Sequence, residues 1–164
     1  MVAYKRSRFY SCIQRIYPSF CHDHLLKDKL GSKYGFGIVE ISGDEISDLR
    51  DFIVSLNCAT ESVIVVEGKR DSAALKNLGY SQQILEFHRF GGMTKFADSV
   101  SSHKSLILLF DSDRKGKYMT KKVIEQLERR TRIDLSYKKR LMHITRGKIS
   151  AIEELSQYEK ILDP

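Results

Sequence analysis

The sequence predicts an α/β fold in which a parallel four-stranded sheet is flanked by helices. Two short runs consist entirely of apolar residues, Val63 to Val66 and Leu106 to Phe110. Such runs are typical of parallel strands covered on both faces, because a strand with one solvated face alternates apolar and polar residues. Segments with helical spacing separate the predicted strands, as expected of such a sheet. At 164 residues the chain has the usual length of one domain.

Each element is predicted from its local pattern. From Glu45 to Leu56 the apolar residues recur at helical spacing, which predicts an amphipathic helix. The elements predicted after it are a strand at 62–68, a helix at 72–79, a strand at 83–90, a helix at 93–100, a strand at 105–110, a helix at 116–130, a strand near 132–135 and a helix at 150–162. For the last helix, Ser150 is the predicted N-cap and Glu153 its capping-box partner.

Residues 1–42 are predicted to form a basic extension whose role the sequence does not define, and residues 43–164 the domain itself, which ends in a basic helical segment. The extension is irregular, with a candidate short strand at 35–41, and we expect it either to cap an edge of the sheet or to dock a partner. Cys12, Cys21, His22 and His24 are residue types that bind zinc. They lack C-x-x-C spacing, so core cysteines and surface histidines are the preferred interpretation.

The sequence favours a cytoplasmic protein without a membrane span. Its longest apolar runs fall far short of the roughly 20 residues that cross a bilayer. Arg15 interrupts the only candidate for a signal peptide. Cys12, Cys21 and Cys58 make an odd set in a chain too long to need disulfides for stability, which favours a reducing compartment.

The distribution of charge predicts a polyanionic partner. The chain has a net charge of +7 and a pI near 9.3. From Arg114 to Lys148 there are thirteen basic residues and three acidic ones, so this segment is near +10 and the rest of the chain near −3. Tyr137 and His143 lie among these bases, a mixture that suits single-stranded or looped nucleic acid. Part of the charge at 117–132 is also explained by a solvated ladder of helical ion pairs.

Acidic residues follow the two clearest strands. Glu67 comes directly after the first, and Asp111 and Asp113 after the second. Ligands of parallel sheets bind beyond the carboxyl ends of the strands, where such residues meet. Alternate residues of an extended chain point the same way, so the two aspartates can share an ion. Mg²⁺ prefers oxygen ligands of this kind. The alternative is that the aspartates cap the next helix and that Glu67 is a solvated turn residue.

Two motifs resemble those of the Toprim domain, the catalytic module of topoisomerases, bacterial primases and certain nucleases. The first is EGKRD at 67–71 and the second DSDRKG at 111–116, each after an apolar strand. The resemblance covers about Ser62 to Leu127 and extends more weakly to Leu155. The upstream helix, the DSDRKG motif and the IEEL tail are most similar to those of small stand-alone archaeal Toprim proteins, sometimes called primase-like. These proteins resemble the Toprim part of the bacterial 5S ribosomal RNA maturase. Lys117 departs from type IA topoisomerases, which usually have glutamate there.

The resemblance implies a Rossmann-like fold and a role for each site residue. Asp111 and Asp113 would bind one or two Mg²⁺ ions, with Glu67 as a further ligand through water. Glu67 would also be the general acid or base at the scissile phosphodiester. Lys69, Arg70, Arg114 and Lys115 would bind substrate phosphates; the alternative for these four is local charge balancing.

The leading functional interpretation is a small magnesium-dependent nuclease or RNA-processing enzyme. The alternative is a non-catalytic module that binds nucleic acid within a replication, repair or RNA-processing assembly. A more remote one is primase-like nucleotide transfer. The expected partner is RNA or DNA, with a protein partner also open.

Overall fold

The protein is described by a computed structural model that covers residues 41–162. Six helices, four strands and two 3-10 helices make up this part of the chain. In chain order they are α1 (Gly43–Asn57), β1 (Ser62–Val66), α2 (Lys69–Asn77), β2 (Ile84–Glu86), a first 3-10 helix (Phe87–Phe90), α3 (Met93–Val100), β3 (Ser105–Leu108), α4 (Arg114–Leu127), β4 (Arg132–Asp134), α5 (Ser136–Ile144), a second 3-10 helix (Ile152–Tyr158) and α6 (Glu159–Leu162).

The four strands form one parallel sheet in the order β2-β1-β3-β4. The chain passes from β1 to the edge strand β2 and returns to β3 on the other side of β1. Ile64 of β1 therefore lies between Ile84 of β2 and Ile107 of β3. Such a reversal opens a crevice at the carboxyl ends of the two central strands. The predicted parallel four-stranded α/β fold is confirmed.

Both faces of the sheet are covered, as the all-apolar strands predicted. Val65, Leu106 and Leu108 are buried on one face against α3 and α4. Ile64 and Ile107 alternate with them along the strands and are also buried, facing the other side. Helices α1 and α5 pack against each other, and α2 packs against the second 3-10 helix. The central strands are therefore inaccessible except at their ends.

The predicted strand at 83–90 is shorter than expected. Only Ile84–Glu86 are paired, and the chain then turns into the first 3-10 helix. Phe87 packs against Phe96 and Phe110, with ring centroids 5.1 and 5.9 Å away, and the His88 amide donates to the carbonyl of Glu67 at 3.0 Å. These contacts are made with residues distant in the sequence. They stabilise the 3-10 helix at 87–90, where the local sequence alone would favour a strand.

The predicted helix at 150–162 is mostly a 3-10 helix, and its predicted cap is wrong. The carboxylate of Glu154, not of Glu153, accepts hydrogen bonds from the amides of Ser150 and Ala151, at 2.6 and 3.2 Å. The amide of Ile152 donates instead to the carboxylate of Asp111 at 3.0 Å. Attachment to the loop after β3 therefore determines how this segment begins.

Two helices begin before the predicted position and α5 was not predicted. Helix α2 begins at Lys69, because Asp71 accepts from the Gly68 amide at 2.9 Å and closes the first turn there. Helix α4 begins at Arg114, directly after its N-cap Asp113. In α5 only Leu141 and Ile144 are buried. Because most other positions of this helix are basic or polar, its sequence shows no clear apolar periodicity.

A buried charged group connects α1 to the end of the basic segment. Glu45 is 2% exposed and accepts hydrogen bonds from Nζ of Lys148, at 2.6 Å, and from the hydroxyl of Tyr158. Burial alone would raise the pKa of Glu45, but these hydrogen bonds outweigh it and lower the pKa. Lys148 thus has a structural role.

Several predictions concern residues outside 41–162. They are the short strand at 35–41, almost all of the extension at 1–42, and the set Cys12, Cys21, His22 and His24. Cys58 follows α1 directly, and the reducing compartment expected from the cysteine count stays a prediction. Within the described residues, no helix is long and apolar enough to cross a membrane.

Candidate functional site

The two central strands bring the predicted acidic residues to one edge of the sheet. Glu67 follows β1 directly, and Asp111 lies three residues after the end of β3. Gly116, in the first turn of α4, lies between them. A Cβ atom placed on Gly116 would be 2.2 Å from the carbonyl oxygen of Asp111 and 2.9 Å from Oε1 of Glu67. The missing side chain at this position allows the two acidic residues and the helix to meet.

Glu67 is buried and only partly partnered. It is 6% exposed, and Oε2 lies 3.4 Å from Nζ of Lys115. Oε1 is fully buried and has no hydrogen-bond partner within the described part of the chain. An unpartnered buried carboxylate oxygen is costly, because desolvation is not offset by any protein contact. This atom therefore favours the approach of a cation, a proton or a water molecule.

Asp111 and Asp113 each have one carboxylate oxygen bound to the backbone. Oδ1 of Asp111 accepts from the amide of Ile152 at 3.0 Å. Oδ1 of Asp113 accepts from the amide of Gly116 at 2.6 Å, which makes Asp113 the N-cap of α4. The capping alternative thus holds for one oxygen of Asp113. It does not hold for Asp111, whose carboxylate accepts instead from the first amide of the second 3-10 helix.

Negative charge accumulates at this edge. Burial raises the pKa of Asp111, and the charges of Glu67, Asp113 and Glu153 raise it further, against the opposing hydrogen bond from Ile152. The same causes, burial first and then Asp111 and Glu67, raise the pKa of Asp71. The carboxylates repel one another in their charged forms. A cation placed among them would therefore stabilise these charged forms.

Two residues of the site were not identified from the sequence. Asp71 is 6% exposed and its charge interacts with Glu67 and Asp111; its only signal was its place at the end of EGKRD. Lys138 of α5 donates from Nζ to the backbone carbonyl of Asp111 at 2.8 Å. Burial lowers the pKa of Lys138, with Lys117 adding to the effect, although the nearby acids oppose it. Nothing local to residue 138 indicates this contact, because Asp111 is 27 residues away.

The four predicted phosphate-binding residues are placed differently. Nζ of Lys115 lies 3.4 Å from Oε2 of Glu67 and 3.4 Å from Nε2 of His88. Arg70 is 3.7 Å from Glu153, a pair whose side chains are 86% and 45% exposed, so charge balancing explains Arg70 in part. Lys69 and Arg114 are exposed at the starts of α2 and α4. Of these four residues, only Lys115 directly contacts the acidic group, by which we mean Glu67, Asp111 and Asp113.

The side chains, as they stand, do not enclose an ion. Among residues 41–162, no group of three or more histidine, cysteine, aspartate or glutamate side chains has the spacing of a metal site. The backbone hydrogen bonds of Asp111 and Asp113 account for two of the oxygens that such a site would use.

Further basic residues lie along α4 and the strand that follows it. An open cavity of about 620 Å³ is lined by Ile124, Glu128, Arg129, Arg130, Thr131, Arg132, Ile133 and Leu135. Its three arginines are exposed. The hydroxyl of Thr131 is buried without a hydrogen-bond partner in the described part of the chain. This surface differs from the acidic strand ends, since its lining includes three arginines and only one carboxylate, that of Glu128.

Comparisons with known proteins agree on the central part of the chain. The model of the Toprim domain matches residues 62–152. A UPF0292 protein of Thermococcus sibiricus is 34% identical over 111 residues, which cover 67% of this chain and 81% of the relative. A UPF0292 protein of Archaeoglobus fulgidus is 39% identical over 101 residues, 60% of this chain and 78% of the relative. Both organisms are archaea, and neither protein's name specifies an activity. No solved structure matches the chain significantly.

Proposed function

Because the chain belongs to the Toprim domain family, we propose that it is a magnesium-dependent enzyme that acts on phosphodiester bonds of RNA or DNA. Family membership indicates a metal-dependent function related to nucleic acids. The finer proposal, a small nuclease or RNA-processing enzyme, rests chiefly on one observation. Glu67 has a buried oxygen, Oε1, without a hydrogen-bond partner among the described residues, and this oxygen lies beside a second acidic strand end.

The chemistry of the donor atoms at this edge supports the proposal of a magnesium ion. The donors are all carboxylate oxygens, which Mg²⁺ prefers, and their negative charge is not balanced by the nearby lysines alone. Glu67, Asp111 and Asp113 would hold the ion, or two ions. When bound, the ion would stabilise negative charge on the phosphate and lower the pKa of a bound water.

The protein's own groups account for the remaining roles. Glu67 would take or give a proton at Oε1, since that atom is not already occupied by a hydrogen bond. Lys115 is positioned to exchange its contact with Glu67 for one with a substrate phosphate. Lys69, Arg70 and Arg114 are exposed around the same edge and would bind flanking phosphates.

The experiment compares cleavage by the full chain and by Glu67→Gln. Labelled single-stranded and hairpin RNA and DNA are incubated with protein in Mg²⁺ or in chelator. We expect Mg²⁺-dependent cleavage that falls by at least about 100-fold in Glu67→Gln, because a general acid or base typically contributes that much. Glu61→Gln, which changes an exposed acid just before β1, is the matched control and should cleave normally. Undiminished cleavage by Glu67→Gln would refute the proposed role of Glu67.

A non-catalytic module that binds nucleic acid is the second candidate. It is favoured by Lys115 and Lys138, whose positive charges offset part of the charge of Glu67 and Asp111. Salt-dependent binding by the unmodified protein, with no cleavage of any of the four substrates, would support it. Extension products formed from added nucleotides would instead support primase-like transfer.

A further inference from the structure

The first 3-10 helix places an exposed histidine, His88, beside the acidic group. The preceding residue, Phe87, packs its ring into the core against Phe96 and Phe110, so the side chain of His88 emerges at the surface. The backbone amide of His88 donates to the carbonyl of Glu67 at 3.0 Å. The position of His88 at the end of β1 is therefore determined by its own backbone and by the packing of its neighbour.

The imidazole ring of His88 lies beside Gly68 and reaches Lys115. A Cβ atom placed on Gly68 would be 3.3 Å from Nδ1 of His88, which is a tight contact. Nε2, on the other side of the ring, lies 3.4 Å from Nζ of Lys115. The glycine at position 68 thus leaves the room that the ring needs in order to face Lys115.

Lys115 has two acceptors at this place. One is Oε2 of Glu67, at 3.4 Å, and the other is Nε2 of His88. An ammonium group carries three N–H donors and no acceptor. Because Lys115 can only donate, Nε2 of His88 must accept, so the neutral ring carries its hydrogen on Nδ1. The contact with Lys115 therefore defines one tautomer of His88.

The two acceptors differ in what the proposed function requires of them. Glu67 is the proposed metal ligand and general acid or base, so its carboxylate cannot also hold Lys115 throughout a reaction. The side chain of Lys115 is 60% exposed, so it gains conformational freedom in solvent once Glu67 releases it. His88 has no competing task, and Nε2 stays available as an acceptor. Another donor of the same ammonium group can then bind a phosphate oxygen.

We propose that His88 is a positioning residue for Lys115. Nε2 of His88 keeps the ammonium group beside the acidic group when Glu67 releases it, so that Lys115 binds the substrate phosphate there. This inference rests on the proposed function and adds a residue that neither sequence motif contains. His88 acts through Lys115 and does not need to touch the substrate. The adjacent Arg89 does not share this role, because its Nε pairs with Glu86 at 2.8 Å.

The first test observes the tautomer and needs no substrate. The full chain is labelled with nitrogen-15, and the histidine ring nitrogens are recorded by NMR under mildly alkaline conditions, where imidazole is neutral. His88→Gln identifies the His88 signals by their absence. We expect Nδ1 of His88 to be protonated in the unmodified chain, and Lys115→Met to shift the ring toward the Nε2-protonated form. Protonation at Nε2 in the unmodified chain, or a ring unaffected by Lys115→Met, would overturn the inference.

The second test measures affinity for the labelled single-stranded and hairpin RNA and DNA of the cleavage experiment. Fluorescence anisotropy is recorded in chelator, so that substrate is not consumed. His88→Ala and His88→Gln are compared, each alone and combined with Lys115→Met. His88→Gln keeps an acceptor near the place of Nε2. His103→Ala is the matched control, because it removes a histidine that precedes β3, at the opposite edge of the sheet.

We expect His88→Ala to weaken binding by roughly 3- to 10-fold, which corresponds to the net contribution of one hydrogen bond. His88→Gln and His103→Ala should bind within about 2-fold of the unmodified chain, because the acceptor is kept or was never involved. In the Lys115→Met background, His88→Ala should change affinity by less than about 2-fold, since the residue through which it acts is gone. No loss in His88→Ala, or an equal loss in both backgrounds, would overturn the inference. A chain that binds none of the four nucleic acids would instead refute the proposed function.

Discussion

At the scale of single residues, Gly116 and Glu67 determine the character of the site. In the middle of a helix, alanine is normally more stabilising than glycine by about 0.5–1 kcal/mol. Gly116 is nevertheless required by space, since any Cβ would overlap the backbone of Asp111 and press on Glu67. The backbone cannot move aside as a flexible side chain would. The close approach of α4 to the two acidic strand ends therefore depends on this glycine.

The substitution Gly116→Ala should lower the free energy of unfolding by about 1–3 kcal/mol, because the methyl group overpacks the region between Asp111 and Glu67. Urea unfolding of the two proteins measures the difference. Gly43→Ala is the matched control: a Cβ on Gly43 meets nothing within 4 Å, so this change should be neutral or stabilising. Equal stability of Gly116→Ala and the unmodified chain would show that the helix start adjusts freely.

At the scale of elements, the loop between β3 and α4 is held from two sides. Asp113 caps α4, and the amide of Ser112 donates to the carbonyl of Ser150 at 2.7 Å. The second 3-10 helix is attached to the same loop through Ile152 and Asp111. The loop after β3 and the second 3-10 helix, neither of which is a regular helix or strand, thus position the acidic residues. The cap at Asp113 can be tested separately from the proposed metal binding, because the cap uses one oxygen and does not need its charge.

The replacement Asp113→Asn should preserve stability within about 0.5 kcal/mol, since asparagine is as good an N-cap as aspartate. Asp113→Ala should lower the free energy of unfolding by about 0.5–2 kcal/mol, because the hydrogen bond to Gly116 is lost. If Asp113 also binds the ion, both variants should weaken Mg²⁺ binding measured by calorimetry. Unchanged Mg²⁺ binding in Asp113→Asn would leave capping as its only role.

At the scale of the whole molecule, the basic segment at 114–148 divides into structural and exposed charges. Lys148 pairs with buried Glu45, and Lys138 contacts Asp111. Arg140 donates to the hydroxyl of Ser55 at 2.9 Å. The arginines of the cavity beside β4 are exposed, so they contribute to the outer field. The formal charge of the segment therefore overstates the number of groups open to a polyanion.

Replacing Arg129, Arg130 and Arg132 together by glutamine should weaken nucleic-acid binding and make it less sensitive to salt. Each phosphate contact contributes about 0.7–0.9 to the slope of log K against log salt, so the loss of three contacts should lower the slope by up to about 2–3. Titrations at several salt concentrations measure it. The control replaces Lys76, Lys95 and Lys160, three exposed lysines of α2, α3 and α6, and removes the same charge. A control with the same change in slope would indicate that only the net charge matters.

The sequence by itself determined the α/β fold, the approximate place of each strand and the presence of acids after β1 and β3. These features depend on periodicity and on chain order, both of which are local. The metal-binding and catalytic roles of Glu67, Asp111 and Asp113 stay predictions. Only the tertiary structure decided that Asp71 and Lys138 lie beside Glu67 and Asp111, that Glu154 rather than Glu153 caps the last segment, and that Tyr118 rather than Tyr137 is exposed. The reason is physical: burial and partnership arise from contacts between residues far apart in the chain, and no local pattern records which of two similar residues faces the solvent.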